Sequence, residues 1–315
     1  MKTIIFIGVL LSVIYLYALY TVSPEWSALY GFSDAMYLIK NQLVYLLISI
    51  VILILLIRTK SSQTFDRVGL SLFGFSLVLL VAMFFLPNSI VPFVDGKRLY
   101  LVVGIFIYPM LFFTLGVIWF INSLHNKFTL KNLNATIFAL MLLSGFLTLS
   151  FHDYGMFLLL ELLMLFFLFY LNGVNKYLLG ALVGLLGAIG IFIITSAHRL
   201  SRLQNWIASL DLSNLQNSLD LVGLQILNNN FGMIFVIGVI AFFVFFIYSI
   251  HKNIISSKNN ELFKVGIMAI FVLTLILNCL ALFGLLPIEA PPLYFFDYGF
   301  SISVISYLML AMLGV

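Results

Sequence analysis

Residues 154–172 read YGMFLLLELLMLFFLFYLN, an unbroken apolar run that carries one charged side chain, Glu161. Its length is about that needed for a helix to cross ~30 Å of hydrocarbon. A helix satisfies its own backbone hydrogen bonds, so it is one of only two structures that can span lipid. This stretch decides the fold, and similar stretches lie on both sides of it.

Working outward, ten such spans are expected, at residues 3–21, 42–57, 69–86, 100–123, 132–150, 154–172, 176–196, 231–250, 264–285 and 299–315. The predicted fold class is an all-α polytopic membrane protein with about ten transmembrane helices, forming a single membrane domain over 1–315. The run from Thr3 to Tyr20 is long and no small-residue cleavage site follows it, so it is expected to be the first span and not a signal peptide. Most breaks between spans are short. The exception, from about Ala197 to Asn230, is predicted to be a long outer loop between helices 7 and 8. Long loops in compact proteins are usually functional.

Composition excludes a soluble enzyme. Hydrophobic residues make up 63% of the chain and charged residues 8%, against about 25% charged in a soluble domain. The 33 Phe suit hydrocarbon and the 15 Tyr suit the membrane interface. A single cysteine, Cys279, excludes an intrachain disulfide. The histidines, His125, His152, His198 and His251, are scattered, so no Cys/His cluster offers a zinc site. A dispersed net charge of +4 does not suit nucleic acid.

Basic residues set the expected orientation. With ten spans and a cytoplasmic N-terminus, 10 of the 15 Lys and Arg lie inside, and Lys40, Lys97, Arg98, Arg199 and Arg202 lie outside. Both termini are then cytoplasmic. Most carboxylates fall on the outer side, among them Asp153, Asp220, Glu289 and Asp297. Chemistry on a polar substrate is expected on that face, although a plain surplus of basic cytoplasmic loops explains the charge pattern equally well. Glu161 lies within a span, where an ionisable group is a functional candidate by default. Protonation, or a hydrogen bond to a neighbouring helix, is the structural alternative.

Asn278 to Ser301 read NCLALFGLLPIEAPPLYFFDYGFS. This resembles the signature of the SEDS family (shape, elongation, division and sporulation), the family of FtsW and RodA. Asn278, Gly284, Leu285, Leu286, Pro287, Pro292, Leu293, Phe295, Tyr298, Gly299 and Ser301 match the pattern without gaps. Glu289, Ala290, Asp297 and Phe300 depart from its Thr, Gly, Ser and Gly. Weaker echoes lie upstream: KNQL at Lys40 to Leu43, VDGKRLY at Val94 to Tyr100, Tyr108-Pro109, HDYG at His152 to Gly155, and the pair Arg199 and Arg202. The polar positions have drifted, so the resemblance is to a divergent member.

The resemblance implies a peptidoglycan glycosyltransferase that polymerises lipid II on the outer face of the bacterial cytoplasmic membrane, in cell division or elongation, with a class B penicillin-binding protein as partner. An acceptor hydroxyl attacks the donor's anomeric carbon and undecaprenyl pyrophosphate leaves. A carboxylate must take the proton. Cationic groups, or a divalent cation such as Mg or Mn, must stabilise the pyrophosphate. The resemblance nominates Asp220 as the base when NNNFG, Asn228 to Gly232, stands for the family's G-E-E-L-G. A competing register places NSLDLVG, Asn217 to Gly223, on an upstream family segment and leaves Asp220 an ordinary loop carboxylate. Arg199 and Arg202 share a face if helical and suit phosphate oxygens; snorkelling at a helix end is the alternative. Lys97 and Arg98 carry the same two readings. Asp153, Glu289 and Asp297 are candidates for shaping or lining the substrate site, or solvated loop positions. Two other functions fit the same features: a catalytically inactive membrane scaffold of the division or elongation machinery, favoured by the altered polar motifs, and another undecaprenyl-linked sugar polymerase or ligase.

Overall fold

A computed structural model of the chain describes residues 2–29, 33–59, 62–93, 97–125, 127–194, 223–255, 261–283 and 290–314. Its helices are α1 (Lys2–Leu29), α2 (Tyr37–Thr59), α3 (Ser62–Met83), α4 (Pro109–His125), α5 (Leu130–Ser150), α6 (Tyr154–Asn172), α7 (Lys176–Ile194), α8 (Gly223–Ile255), α9 (Glu261–Leu282) and α10 (Phe300–Met312). Among the described residues, six spans, within α1, α2, α5, α6, α8 and α9, are long and apolar enough to cross a membrane; shorter apolar stretches lie in α3, α4, α7 and α10. Every expected span has its helix.

The fourth expectation needs correction. A helix from residue 100 was expected, but α4 begins at Pro109. The residues before it form a small antiparallel hairpin, β1 (Leu101–Val102) with β2 (Phe106–Ile107), Leu101 opposite Ile107. A short apolar run cannot be told from a buried strand by periodicity alone. Gly104, at φ 73°, supplies the left-handed turn between the strands. Pro109 fits the first position of a helix, where its missing N–H would be unpaired anyway.

The helices sort by what surrounds them. α6 and α9 are the inner helices, with 61% and 67% of their span residues buried, against 28% for α2 and α8. Leu47, Val51 and Leu55 of α2, and Ile234, Ile237 and Val244 of α8, are exposed. These apolar faces suit lipid tails. Where lipid gives no hydrophobic drive between helices, close packing holds them together. Gly116 of α4 lies so near α3 that an added Cβ would stand 2.6 Å from the Phe73 Cα. Ser144 of α5 donates to Glu161 Oε1 of α6 at 3.2 Å, so the carboxyl within the span has a partner on the next helix. That is the structural alternative raised for it.

Candidate functional site at one end of the bundle

The conspicuous motifs of the sequence converge at one end of the bundle. Asp153 closes the turn between α5 and α6. Its Oδ1 accepts from Met156 N at 3.2 Å, which caps α6. Its Oδ2 accepts from the Tyr108 hydroxyl, just ahead of α4. Burial, and then the Asp153 carboxylate beside it, push the Tyr108 phenol well above its ordinary pKa, so it stays protonated and donating. The Tyr108 backbone N–H donates to Ser301 Oγ at 2.8 Å. Two residues past Asp153, Gly155 lets the Pro-rich loop approach: a Cβ there would meet the Ala290 carbonyl carbon and the Pro291 nitrogen at 2.9 Å.

The loop itself, 290–299, is held from several sides. Asn278 of α9 donates to Pro291 O at 2.9 Å. Phe295 adopts a left-handed backbone, φ 70°, which is uncommon for a bulky residue. Its N–H donates to Ser306 Oγ at 3.2 Å, and its ring packs against Phe246, Phe271 and Tyr307. Gly299 N donates to Gln42 Oε1 at 3.0 Å, and Gln42 Nε2 donates to Ser303 Oγ at 3.0 Å. Three hydrogen bonds thus fix the loop from α9, α10 and α2, and the bond to Ser303 ties Gln42 itself to α10.

This fixed loop forms one wall of a cavity of about 120 Å³. Its other walls are Tyr45 of α2, Tyr100 and Phe106 of the hairpin region, and Tyr108; Asp297, Tyr298 and Phe300 complete it. A second, smaller space of about 10 Å³ shares Asp297 and Ile302 with it and is also lined by Ser12 and Tyr15 of α1, Gln42, Ser303 and Tyr307. Asp297 therefore borders both. Its carboxylate accepts from Tyr298 N at 2.8 Å. Burial raises its pKa to about 7, and the Tyr298 hydrogen bond works weakly against that shift. Burial also raises the Tyr298 phenol, to about 12. Among the described residues no Lys, Arg or His lines either space.

The sequence candidates separate here. Asp153 and Asp297 are brought to the same end, one on each side of Tyr108 and Ser301. Arg98 lies near, but its Nη2 donates to Leu86 O at 3.1 Å and Asn88 Oδ1 at 3.0 Å, and its guanidinium stacks on Phe93 at 4.9 Å. It fastens the turn after α3. Lys97 beside it is half-buried. Asp220, Arg199, Arg202 and Glu289 lie outside the described residues. Among the described residues no group of three or more His, Cys, Asp and Glu could hold a metal ion. Sequence reasoning missed Tyr15, Tyr45 and Tyr100. Tyr15 and Tyr45 were submerged in apolar runs, where only a polar tip every few turns marked them.

An aromatic-walled recess with one carboxylate, on a bundle of apolar helices, defines a class: a polytopic membrane protein with a partly polar recess at one end. A family model of cell-cycle proteins of the FtsW, RodA and SpoVE type matches residues 1–222, and the chain belongs to that family. It is a multi-pass protein of the bacterial inner membrane. Two probable peptidoglycan glycosyltransferases FtsW, from Helicobacter pylori strains 26695 and J99, are 32% and 31% identical over 232 and 229 residues. These alignments cover 69% of this chain but 56% of each relative, so the chain matches just over half their length. The rod-shape-determining protein RodA of Thermus thermophilus shares the fold: TM-score 0.73, 17% identity, covering 99% of this chain and 96% of that one. A chain of a peptidoglycan synthase complex in which polymerization and crosslinking are coordinated matches at TM-score 0.76 and 17% identity, covering 99% and 96%. The family match takes in the upstream echoes, from KNQL to the Arg199 and Arg202 pair, and stops before the signature at 278–301.

Proposed function

We propose that this chain polymerises lipid II into glycan strands at the outer face of the inner membrane, with both termini cytoplasmic and a class B penicillin-binding protein as partner. Family membership supports the reaction. The observation that carries it to a place is the convergence of the HDYG, Tyr108-Pro109 and 290–301 segments around one recess bearing Asp297. Aromatic faces pack against the C–H face of a pyranose, and a carboxylate accepts from its hydroxyls. At about 120 Å³ the recess is smaller than the ~300 Å³ or more of ordinary small-molecule sites, so it receives one edge of a sugar, not a whole lipid II head group.

In this reading Arg199 and Arg202, with Lys97, meet the pyrophosphate from the outer side, where their charge offsets what develops on the leaving group. Arg98 contributes through the loop it fastens. Asp153 and Glu289 shape the mouth. The proton of the attacking hydroxyl goes to a carboxylate, and Asp220 is the nominee that resemblance supplies. A divalent cation would assist the pyrophosphate without changing these assignments.

The test is glycan-strand formation from lipid II by the purified protein, alone and with its cognate class B penicillin-binding protein. Polymer from wild type is the expected result. Partner binding without polymer under any condition would move the reading to the scaffold. Action on undecaprenyl-linked polysaccharide, with lipid II ignored, would move it to another sugar polymerase or ligase.

A further inference from the structure

We propose that Asp297 is the proton acceptor of the polymerisation step: its carboxylate, in the lining of the aromatic recess, takes the proton from the acceptor sugar's hydroxyl. The assignment rests on the polymerase reading above and goes beyond it, because neither the family signature, which has Ser at this position, nor any motif nominated Asp297 as the base.

Three observations carry it. The first is position. Asp297 borders the recess that receives the sugar edge, within a loop whose backbone is fixed by Gln42, Ser306 and Asn278. A base must sit at hydrogen-bond distance from the proton it removes and hold its place. The second is unused capacity. Among the described residues the Asp297 carboxylate accepts one hydrogen bond, from the next residue's N–H, and no cation lines its surroundings. Asp153, the other aspartate at this end, is occupied on both oxygens by Met156 N and the Tyr108 hydroxyl. The third is the inner space of about 10 Å³ that Asp297 shares with Tyr15. The Tyr15 hydroxyl is buried there without a hydrogen-bond partner, so it takes up none of the carboxylate's capacity.

The step balances simply. The hydroxyl oxygen forms a bond to the donor's anomeric carbon as the bond from that carbon to the pyrophosphate oxygen breaks. The pyrophosphate leaves with the electron pair. The hydroxyl proton passes to Asp297, which becomes a neutral carboxylic acid and returns the proton to the outer solvent before the next addition. Among the described residues, the other titratable groups lining these two spaces are Tyr15 from α1, Tyr45 from α2, Tyr100 and Tyr108 ahead of α4, and Tyr298 and Tyr307 on its own side; all are phenols. Asp297 therefore sets the pH limb. Burial holds it at about 7, close to the working pH, where a base combines a useful ionised fraction with real basicity.

The experiment is lipid II polymerisation by the full-length protein in vesicles, with its class B partner, measured from pH 5.5 to 8.5. It compares wild type, Asp297→Asn, Asp297→Glu and Asp220→Asn. For Asp297→Asn a loss of roughly 10²- to 10⁴-fold in rate is expected, with lipid II binding kept. Asp297→Glu should recover part of the rate. The wild-type rate should rise with pH through about 7. The wild-type limb needs no variant to fold, so it decides the matter if Asp297→Asn cannot be purified. A flat profile across this range overturns the assignment. So does an active Asp297→Asn beside an inactive Asp220→Asn, which returns the role to Asp220 and leaves the polymerase reading standing. A wild type that makes no polymer overturns that reading and this assignment together.

Discussion

The corner between α5 and α6 and the loop 290–299 each deliver one aspartate to the same end of the bundle, and they use it in opposite ways. At the corner, Asp153 is buried and both of its oxygens accept hydrogen bonds, one from a helix N-terminus and one from Tyr108. In the loop, Asp297 is half-buried, accepts from its own neighbour, and faces two spaces. The first is a fastener and the second is a reagent. The difference lies in hydrogen-bond capacity: the protein engages both Asp153 oxygens, whereas among the described residues one Asp297 oxygen accepts no hydrogen bond.

The comparison can be broken by substitution. The largest effect on stability is expected from Asp153→Ala. It removes the α6 cap and leaves the buried Tyr108 hydroxyl unpaired, together about 2–4 kcal/mol. Thermal unfolding in detergent would read this as a clear drop in Tm, and an unchanged Tm would put Asp153 in the same class as Asp297.

Gly155→Ala is expected next, at about 1–3 kcal/mol, because the new Cβ drives into the Ala290–Pro291 backbone. It should also lower polymerisation, since the displaced segment carries Asp297. A variant stable and fully active would show that the loop yields at no cost.

Asp297→Asn should act in the opposite direction. A folded pKa of about 7 lies above the unfolded value of ~3.9. The folded protein therefore binds more protons between these values, and wild-type stability is full below pH ~4 and falls as pH rises through about 7. Removing the charge should leave stability unchanged near pH 4 and raise it above pH 7, by about 1–2 kcal/mol after allowance for solvent screening, read as a higher Tm. Equal Tm at both pH values would mean that Asp297 is ionised without penalty. Ser301→Ala is the smallest, about 1 kcal/mol, for the lost acceptor of Tyr108 N–H. It should sharpen the comparison by weakening the corner while sparing Asp297, so polymerisation by the folded protein should persist.

The helices were legible in sequence because lipid demands long apolar runs, and each demand leaves its mark locally. The failure at residues 100–108 has the same cause: an apolar run looks alike as strand or helix, and Gly104 with Pro109 were the signals that distinguished them. Asp153 and Asp297 could be flagged as carboxylates within recognisable motifs. That one is filled and the other is not depends on Tyr108, 45 residues from Asp153, and no local pattern reports such a pairing. Gln42 stood in a flagged motif, yet its task in holding Gly299 becomes visible only when α2 and α10 are seen side by side.

That Gln42 contact has a consequence in time. Gln42 and Ser12 belong to the first two helices, and their partners Ser303, Gly299 and Tyr307 belong to α10 or the residue before it. During synthesis the amide of Gln42 enters the bilayer about 260 residues ahead of the groups that satisfy it. A buried amide without a partner is costly, so the Gln42 side chain reaches its native hydrogen bonds only once α10 has docked. Docking of α10 satisfies the early helices and completes the wall on which Asp297 stands.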